Sequence, residues 1–148
     1  VSIEMFVAVG ERYWKTYFER LKAQLDSGGR AVIQTITIDD DYFERYRRGG
    51  DAIRNCIFPG GLLPSEGRLR AEADRAGFRV TDTFSFGADY AETLVRWLDR
   101  FDRKRKEVQE LGFDTEFIRL WRFYLASCSG AFRSGRTDVM QLELQHAP

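Results

Sequence analysis

The sequence predicts an α/β fold, a sheet whose strands are joined by helices. Runs of β-branched and apolar residues suited to strands alternate with longer stretches in which apolar residues recur every three or four positions. Glycine or a capping residue stands where several of these patterns break, as at Gly28-Gly29, Ser65, Gly77 and Gly112. Such strand–helix alternation favours right-handed crossovers within one sheet. With 148 residues, the chain is expected to form a single domain, 1–148, with a core of ordinary size.

The elements follow in order. Val1-Ser2-Ile3-Glu4-Met5-Phe6 is short and largely apolar and reads as the tail of a buried strand, so the chain is expected to begin in mid-fold. From Gly10 the spacing of Tyr13, Trp14, Tyr17, Phe18, Leu21 and Leu25 predicts a helix with one broad apolar face. Arg30–Ile38 is β-branched and apolar, as a strand covered on both faces should be. Asp39-Asp40-Asp41 suits the N-terminus of a short helix reaching Arg48, because carboxylates are favoured there.

Ile57-Phe58-Pro59-Gly60-Gly61-Leu62-Leu63-Pro64 is apolar but broken by Pro and Gly, which makes it a loop, either a pocket wall or lid or a plain buried connection. Ser65 should cap a helix through Ala76, with Glu66 and Glu72 on its polar side. Phe78–Phe86 alternates as a strand does. Two long aromatic helices follow, one with Tyr90, Leu94, Trp97, Leu98 and Phe101, the other with Phe117, Leu120, Trp121, Tyr124, Leu125, Cys128 and Phe132. Val139–Leu144 is the last alternating strand.

Composition narrows the function classes. Lys+Arg and Asp+Glu balance at 23 each, so there is no electrostatic case for nucleic acid. Two basic runs, Arg45–Arg48 and Arg103–Lys106, read as solvated helix faces or as contacts for anionic lipid headgroups. Cys56 and Cys128 are far apart and read as buried small hydrophobes in a reducing compartment. His146 is the single histidine, which argues against a His triad, and no metal site is expected. No apolar stretch reaches the roughly 18 residues of a membrane span, so a cytoplasmic protein is expected. Aromatics, at 14%, suit a thick core, an apolar ligand site or an interface.

Several blocks, in order, carry a resemblance. They are Val1-Ser2-Ile3 with Met5-Phe6 and Val9-Gly10, Tyr13 and Tyr17-Phe18, Gln34-Thr35-Ile36, and Ile57-Phe58-Pro59-Gly60-Gly61 with Leu63-Pro64-Ser65. Phe86-Gly87-Ala88-Asp89-Tyr90 with Thr93-Leu94 and Trp97 forms another, and Tyr124-Leu125, Cys128, Ala131-Phe132-Arg133 and Asp138-Val139 with Gln141 complete it. Together they resemble the cyclopropane-fatty-acid and mycolic-acid cyclopropane synthases, S-adenosylmethionine-dependent methyltransferases.

The resemblance implies the C-terminal half of a seven-stranded Rossmann-like fold, whose strands run in the order three-two-one-four-five-seven-six. This chain would hold the tail of strand four and strands five, six and seven. The glycine-rich turn that approaches the cofactor would precede Val1. Strand five would expose an edge that strand four normally protects, which favours a homodimer or aggregation.

The implied reaction adds a methylene or methyl group to unsaturated acyl chains of phospholipids, with transient contact at the membrane surface. Around Met5, Phe6 and Val7 the resemblance implies cofactor contact. The family's base is a bound bicarbonate held by a glutamate, a histidine, an isoleucine, a tyrosine and a cysteine. Residue by residue, the tyrosine matches Tyr90 and the isoleucine Ile36, while Gln34 stands at the histidine position with an amide still able to donate. Val7 stands at the glutamate position and can bond neither bicarbonate nor a cofactor group. The cysteine position would precede Val1. Three readings follow: a methyltransferase fragment inactive alone, a catalytically dead lipid-binding or self-association module, or methyl transfer to another acceptor.

Overall fold

The computed structural model describes residues 1–50 and 52–146. They form two compact units, one of Val1–Ser85 with the strand from Thr137 on, the other of Phe86–Arg136.

In the first unit, β1 is only Ser2–Ile3. The strand expected to continue to Phe6 stops because Glu4 takes the left-handed conformation, φ 58° and ψ 2°, and turns the chain into α1 (Met5–Val9). Gly10 then sits at φ 76° and ψ 148°, a region close to one that glycine nearly monopolises. The helix expected from Gly10 is therefore a 3-10 turn, Glu11–Tyr13, followed by α2 (Trp14–Ala23). Tyr13 falls on the 3-10 turn and is 47% exposed, so it drops out of the predicted apolar face.

β2 (Arg30–Ile38) forms where expected, with Ala31, Ile33, Thr35 and Thr37 buried and Val32, Gln34 and Ile36 half-buried on the opposite face. Asp39 caps α3 (Asp40–Arg48), its carboxylate accepting from the Asp41 amide at 2.8 Å. A short helix not predicted from sequence, α4 (Ala52–Cys56), precedes the Pro/Gly loop. Ser65 caps α5 (Glu66–Arg75) through the Arg68 amide. Glu72 departs from its expected polar face: it is buried, with Arg75 at 2.6 Å and Arg68 at 3.7 Å supplying compensating charge. Cys56 likewise departs from expectation, being exposed.

β3 (Phe78–Ser85) and β4 (Thr137–His146) complete a four-stranded sheet of order β1-β2-β4-β3. β1 runs parallel to β2, and β4 runs antiparallel to both its neighbours. This is the order four-five-seven-six of the Rossmann-like methyltransferase half. The alternation read for β3 does not become alternate burial, since it is an edge strand and only Phe78 is fully covered. On one face of the sheet, Phe6, Trp14 and Phe18 pack with Ile33, Leu69, Phe78, Met140, Leu142 and Leu144 into the core.

The second unit consists of α6 (Gly87–Arg103), α7 (Arg105–Glu110) and α8 (Thr115–Arg133), the last capped by Asp114 through the Phe117 amide at 2.8 Å. α6 and α8 pack through Ala91, Leu94, Ile118 and Leu125, and the Ser129 hydroxyl donates to the Ala91 carbonyl at 3.3 Å. Part of each basic run is ion-paired: Arg47 with Glu11 at 2.9 Å and with Glu44, Arg48 with Glu44, Arg103 with Asp99, and Lys104 with Glu107.

Candidate functional site

In open α/β sheets, ligands gather at the carboxyl ends of the parallel strands. Here β1 ends at Ile3, beside the middle of β2, and the amide of the next residue, Glu4, donates to the Gln34 carbonyl at 2.9 Å. The side chains meet as well. Gln34 Nε2 donates to Glu4 Oε1 at 3.0 Å, and Gln141 Nε2 donates to Gln34 Oε1 at 2.9 Å. Gln34 and Gln141 face each other across the β2–β4 ladder, which places their side chains on the same side of the sheet.

The carboxylate sets the direction of this row. Turning the Gln34 amide over would put its oxygen against the Glu4 carboxylate, so Nε2 must face Glu4 and Oε1 must face Gln141. Glu4 is also the non-glycine residue with positive φ among those described. Left-handed backbone costs such a residue about 1 to 2 kcal/mol. A charge-assisted hydrogen bond of the Gln34–Glu4 kind offsets a comparable amount.

Of the residues expected to contact bicarbonate, Gln34 and Ile36 lie two apart on the same half-buried face of β2. Ile36 pairs across the ladder with Val139, which is fully buried. Tyr90 belongs to the other unit. It is half-buried there, its ring edge-on to Phe132 at 5.0 Å and to Trp97 at 6.4 Å. Burial, with Cys128 and Tyr90 nearby, pushes the neighbouring Tyr124 phenol up to about 12, so it stays protonated at neutral pH.

The expected cofactor contacts separate. The Phe6 ring is consumed by the core, stacked on Trp14 at 5.3 Å and edge-on to Tyr17 at 4.9 Å. Val7 is half-buried and its carbonyl accepts from Leu62 of the Pro/Gly loop at 3.2 Å. Met5, 55% exposed just past β1, is the one whose side chain remains available. The Pro/Gly loop is anchored from several sides. Arg54 donates to the carbonyls of Gly61, Tyr46 and Gly49, and the Pro64 carbonyl accepts from Ile38 at 2.9 Å.

These residues suit one edge of an S-adenosylmethionine site, through Met5 and the turn at Glu4. They do not suit bicarbonate. Val7 offers it no donor or acceptor side chain, and one of the two Gln34 Nε2 hydrogens is already bonded to a carboxylate. A second anion about 4 Å from Glu4 would meet repulsion of about 4 kcal/mol at the dielectric typical of such sites.

Sequence reasoning missed Glu4 and the role of Gln141. A signal for Glu4 was present, because it is the one charged residue in the apolar run Val1–Phe6. Gln141 carried no such signal, since only the strand register brings it to Gln34.

A groove of about 350 Å³ lies within the second unit, lined by Leu98, Arg119, Arg122, Phe123 and Ala126. It contains none of the residues matched to the reaction.

Comparison with known proteins agrees with the sheet order. The sequence profile described as Mycolic acid cyclopropane synthetase matches residues 1–142. Tuberculostearic acid methyltransferase UfaA1 of Mycobacterium tuberculosis is 41% identical over 145 residues, 97% of this chain and 34% of that protein. The cyclopropane-fatty-acyl-phospholipid synthase of Escherichia coli K12 is 31% identical over 148 residues, 96% of this chain and 36% of that protein. The chain thus spans about a third of the length of these two relatives. Among solved structures, the mycolic acid cyclopropane synthase CmaA1, complexed with SAH and CTAB, superposes with a TM-score of 0.86 at 29% identity. That match covers 97% of this chain and 53% of CmaA1. With a profile match along nearly its whole length and the strand order of the fold, the chain belongs to the mycolic acid cyclopropane synthetase family.

Proposed function

We propose that this chain is the acceptor-side part of an S-adenosylmethionine-dependent methyltransferase that adds a methylene or methyl group to unsaturated fatty acyl chains of phospholipids. The observation that carries the reading is the 97% coverage of this chain by a tuberculostearic acid methyltransferase, together with the polar row at the end of β1. S-adenosylmethionine, when bound, supplies an electrophilic methyl group. Met5 forms one wall for it, and the anchored Pro/Gly loop keeps the backbone around Val7 in place. Within the second unit Tyr90, Phe132 and Trp97 form an aromatic cluster, the kind of surface that stabilises a developing cation. Contact with phospholipid at a membrane surface is transient in this reading. Among the described residues, no helix is long and apolar enough to cross a membrane.

The chain alone is inactive in this reading, because its relatives are about three times longer and the described residues supply only one edge of a cofactor site. Calorimetric titration of the chain with S-adenosylmethionine tests this, and no heat of binding is expected. Saturable binding would show a complete pocket and overturn that part of the proposal.

Val7 favours a second reading, a catalytically dead module that binds lipid indifferently to S-adenosylmethionine. Methyl transfer to any acyl lipid by the full-length protein would dismiss it. The open side of β1, with Ile3 63% exposed, also supports self-association of the isolated chain. Sedimentation should show dimers or larger species at high concentration, and a clean monomer would contradict this.

A further inference from the structure

Resting on the methyl-transfer reading, we propose that Glu4 is the base of the reaction, standing in the chain itself where the family's mechanism calls for bicarbonate, with Gln34 and Gln141 as its positioning residues. Methylating an alkene leaves a cation on the acyl chain, and that cation must lose a proton for a neutral product to form. A base at this place needs three properties: an acceptor oxygen that is not consumed, a fixed direction, and a reason for bicarbonate to be unnecessary.

Glu4 has all three. Oε1 accepts from Gln34, and its carboxylate makes no other hydrogen bond among the described residues, which leaves Oε2 to receive a proton. Its direction is set twice, by a left-handed backbone that turns it out of the β1 line and by the Gln141–Gln34 row that holds Oε1. Bicarbonate is disfavoured beside it, because Val7 removes one holder and the Glu4 carboxylate, itself an anion, takes one of the two Gln34 Nε2 hydrogens. Strain at Glu4 supports the assignment. A glycine would adopt φ 58° freely, so a glutamate there, bonded to a predicted site residue, has a task beyond turning the chain.

The step balances without a further reactant. The alkene π pair forms the new C–C bond to the methyl carbon as the S–C bond breaks, its electron pair staying on sulfur. Glu4 Oε2 then takes one proton, either from the new methyl, which lies two bonds from the cationic centre, or from a chain carbon adjacent to that centre. If the proton leaves the new methyl, the C–H pair closes a three-membered ring. If it leaves the chain, the pair forms a double bond. Glu4 releases the proton to water afterwards.

The test uses the full-length protein that carries this chain, vesicles of phospholipid with cis-unsaturated acyl chains, and methyl-labelled S-adenosylmethionine. Wild-type protein is expected to label lipid equally well with bicarbonate present or stripped from the buffer. Glu4→Gln should label lipid at least ~100-fold more slowly, the usual size of a lost general base. Glu4→Gly, which relieves the backbone strain and so should fold, should be equally slow but accelerated by added formate or bicarbonate. Rescue of that kind reports a missing proton acceptor, and a purely structural role would not produce it. Full turnover by Glu4→Gln, wild-type dependence on bicarbonate, or a slow Glu4→Gly that no small carboxylate rescues would each overturn the assignment. Failure of wild-type protein to label lipid would instead remove the methyl-transfer reading, and this inference with it.

Discussion

Phe6→Ala is expected to destabilise the first unit by about 3 to 5 kcal/mol, the range for emptying an aromatic site in a packed core. Phe6 is fully buried and lies at the centre of an aromatic cluster. Its ring stacks on Trp14 at 5.3 Å, meets Tyr17 edge-on at 4.9 Å and lies 5.5 Å from Phe18. Three large neighbours cannot collapse into the space together, because each is held by a different part of α2 and by partners of its own, as Trp14 is by Phe43. The same ring fixes α1 against α2 and so fixes the exit of β1, where Glu4 and Met5 lie. Marginal stability of about 5 to 15 kcal/mol for a domain makes this loss decisive. Urea unfolding followed by far-UV circular dichroism measures it. A midpoint within experimental error of the wild type would show that α1 is not packed as described.

Leu144→Asp is expected to abolish cooperative folding of the first unit. β4 is an interior strand of the sheet, paired antiparallel with β2 on one side and β3 on the other. Leu144 is 1% exposed on its core-facing side, opposite Ala31 and Val80. A carboxylate there has neither water nor a cation, and burying an unpaired charge costs several kcal/mol even after relaxation. Glu143→Gln, one residue away on the opposite face, is the control. It removes the carboxylate bonded by Arg30 at 2.8 Å and Thr81 at 2.7 Å, a partly exposed arrangement worth about 1 kcal/mol or less. Near-equal effects of the two substitutions would mean that the faces of β4 are not distinguished, and the register would be wrong.

Much of this fold was legible in local chemistry. Arg30–Ile38 is a strand because β-branched residues crowd it, and Asp39 and Ser65 begin helices because their side chains satisfy amides that no helical carbonyl reaches. The strand order became readable only through the family resemblance, since alternation within a strand says nothing about its neighbours. Local patterns failed where long-range contacts decide. The apolar run Val1–Phe6 looks like one strand, yet its last residues turn into α1, where Phe6 gains an aromatic core that a straight strand would not reach. Glu72 looks like a surface carboxylate, yet Arg68 and Arg75 make its burial tolerable.

The candidate site divides in the same way. Ile36 and Tyr90 were named from the sequence because each matches a family position by residue type and order, and Gln34 because it stands at the family's histidine position. Glu4 and Gln141 were not, although they are the two side chains that Gln34 touches. The three residues are separated along the chain by 30 and 107 positions, and nothing in local composition couples them. By itself the sequence determined most of the element types, the caps at Asp39 and Ser65, and the family. Only the tertiary structure, through a parallel pairing of two residues and a long antiparallel register, decided that a glutamate, rather than an empty valine position, stands beside Gln34. Helix and strand propensities act over a few neighbouring residues, whereas a hydrogen-bonded row across three strands exists only once the backbone ladders have set its members within 3 Å of one another.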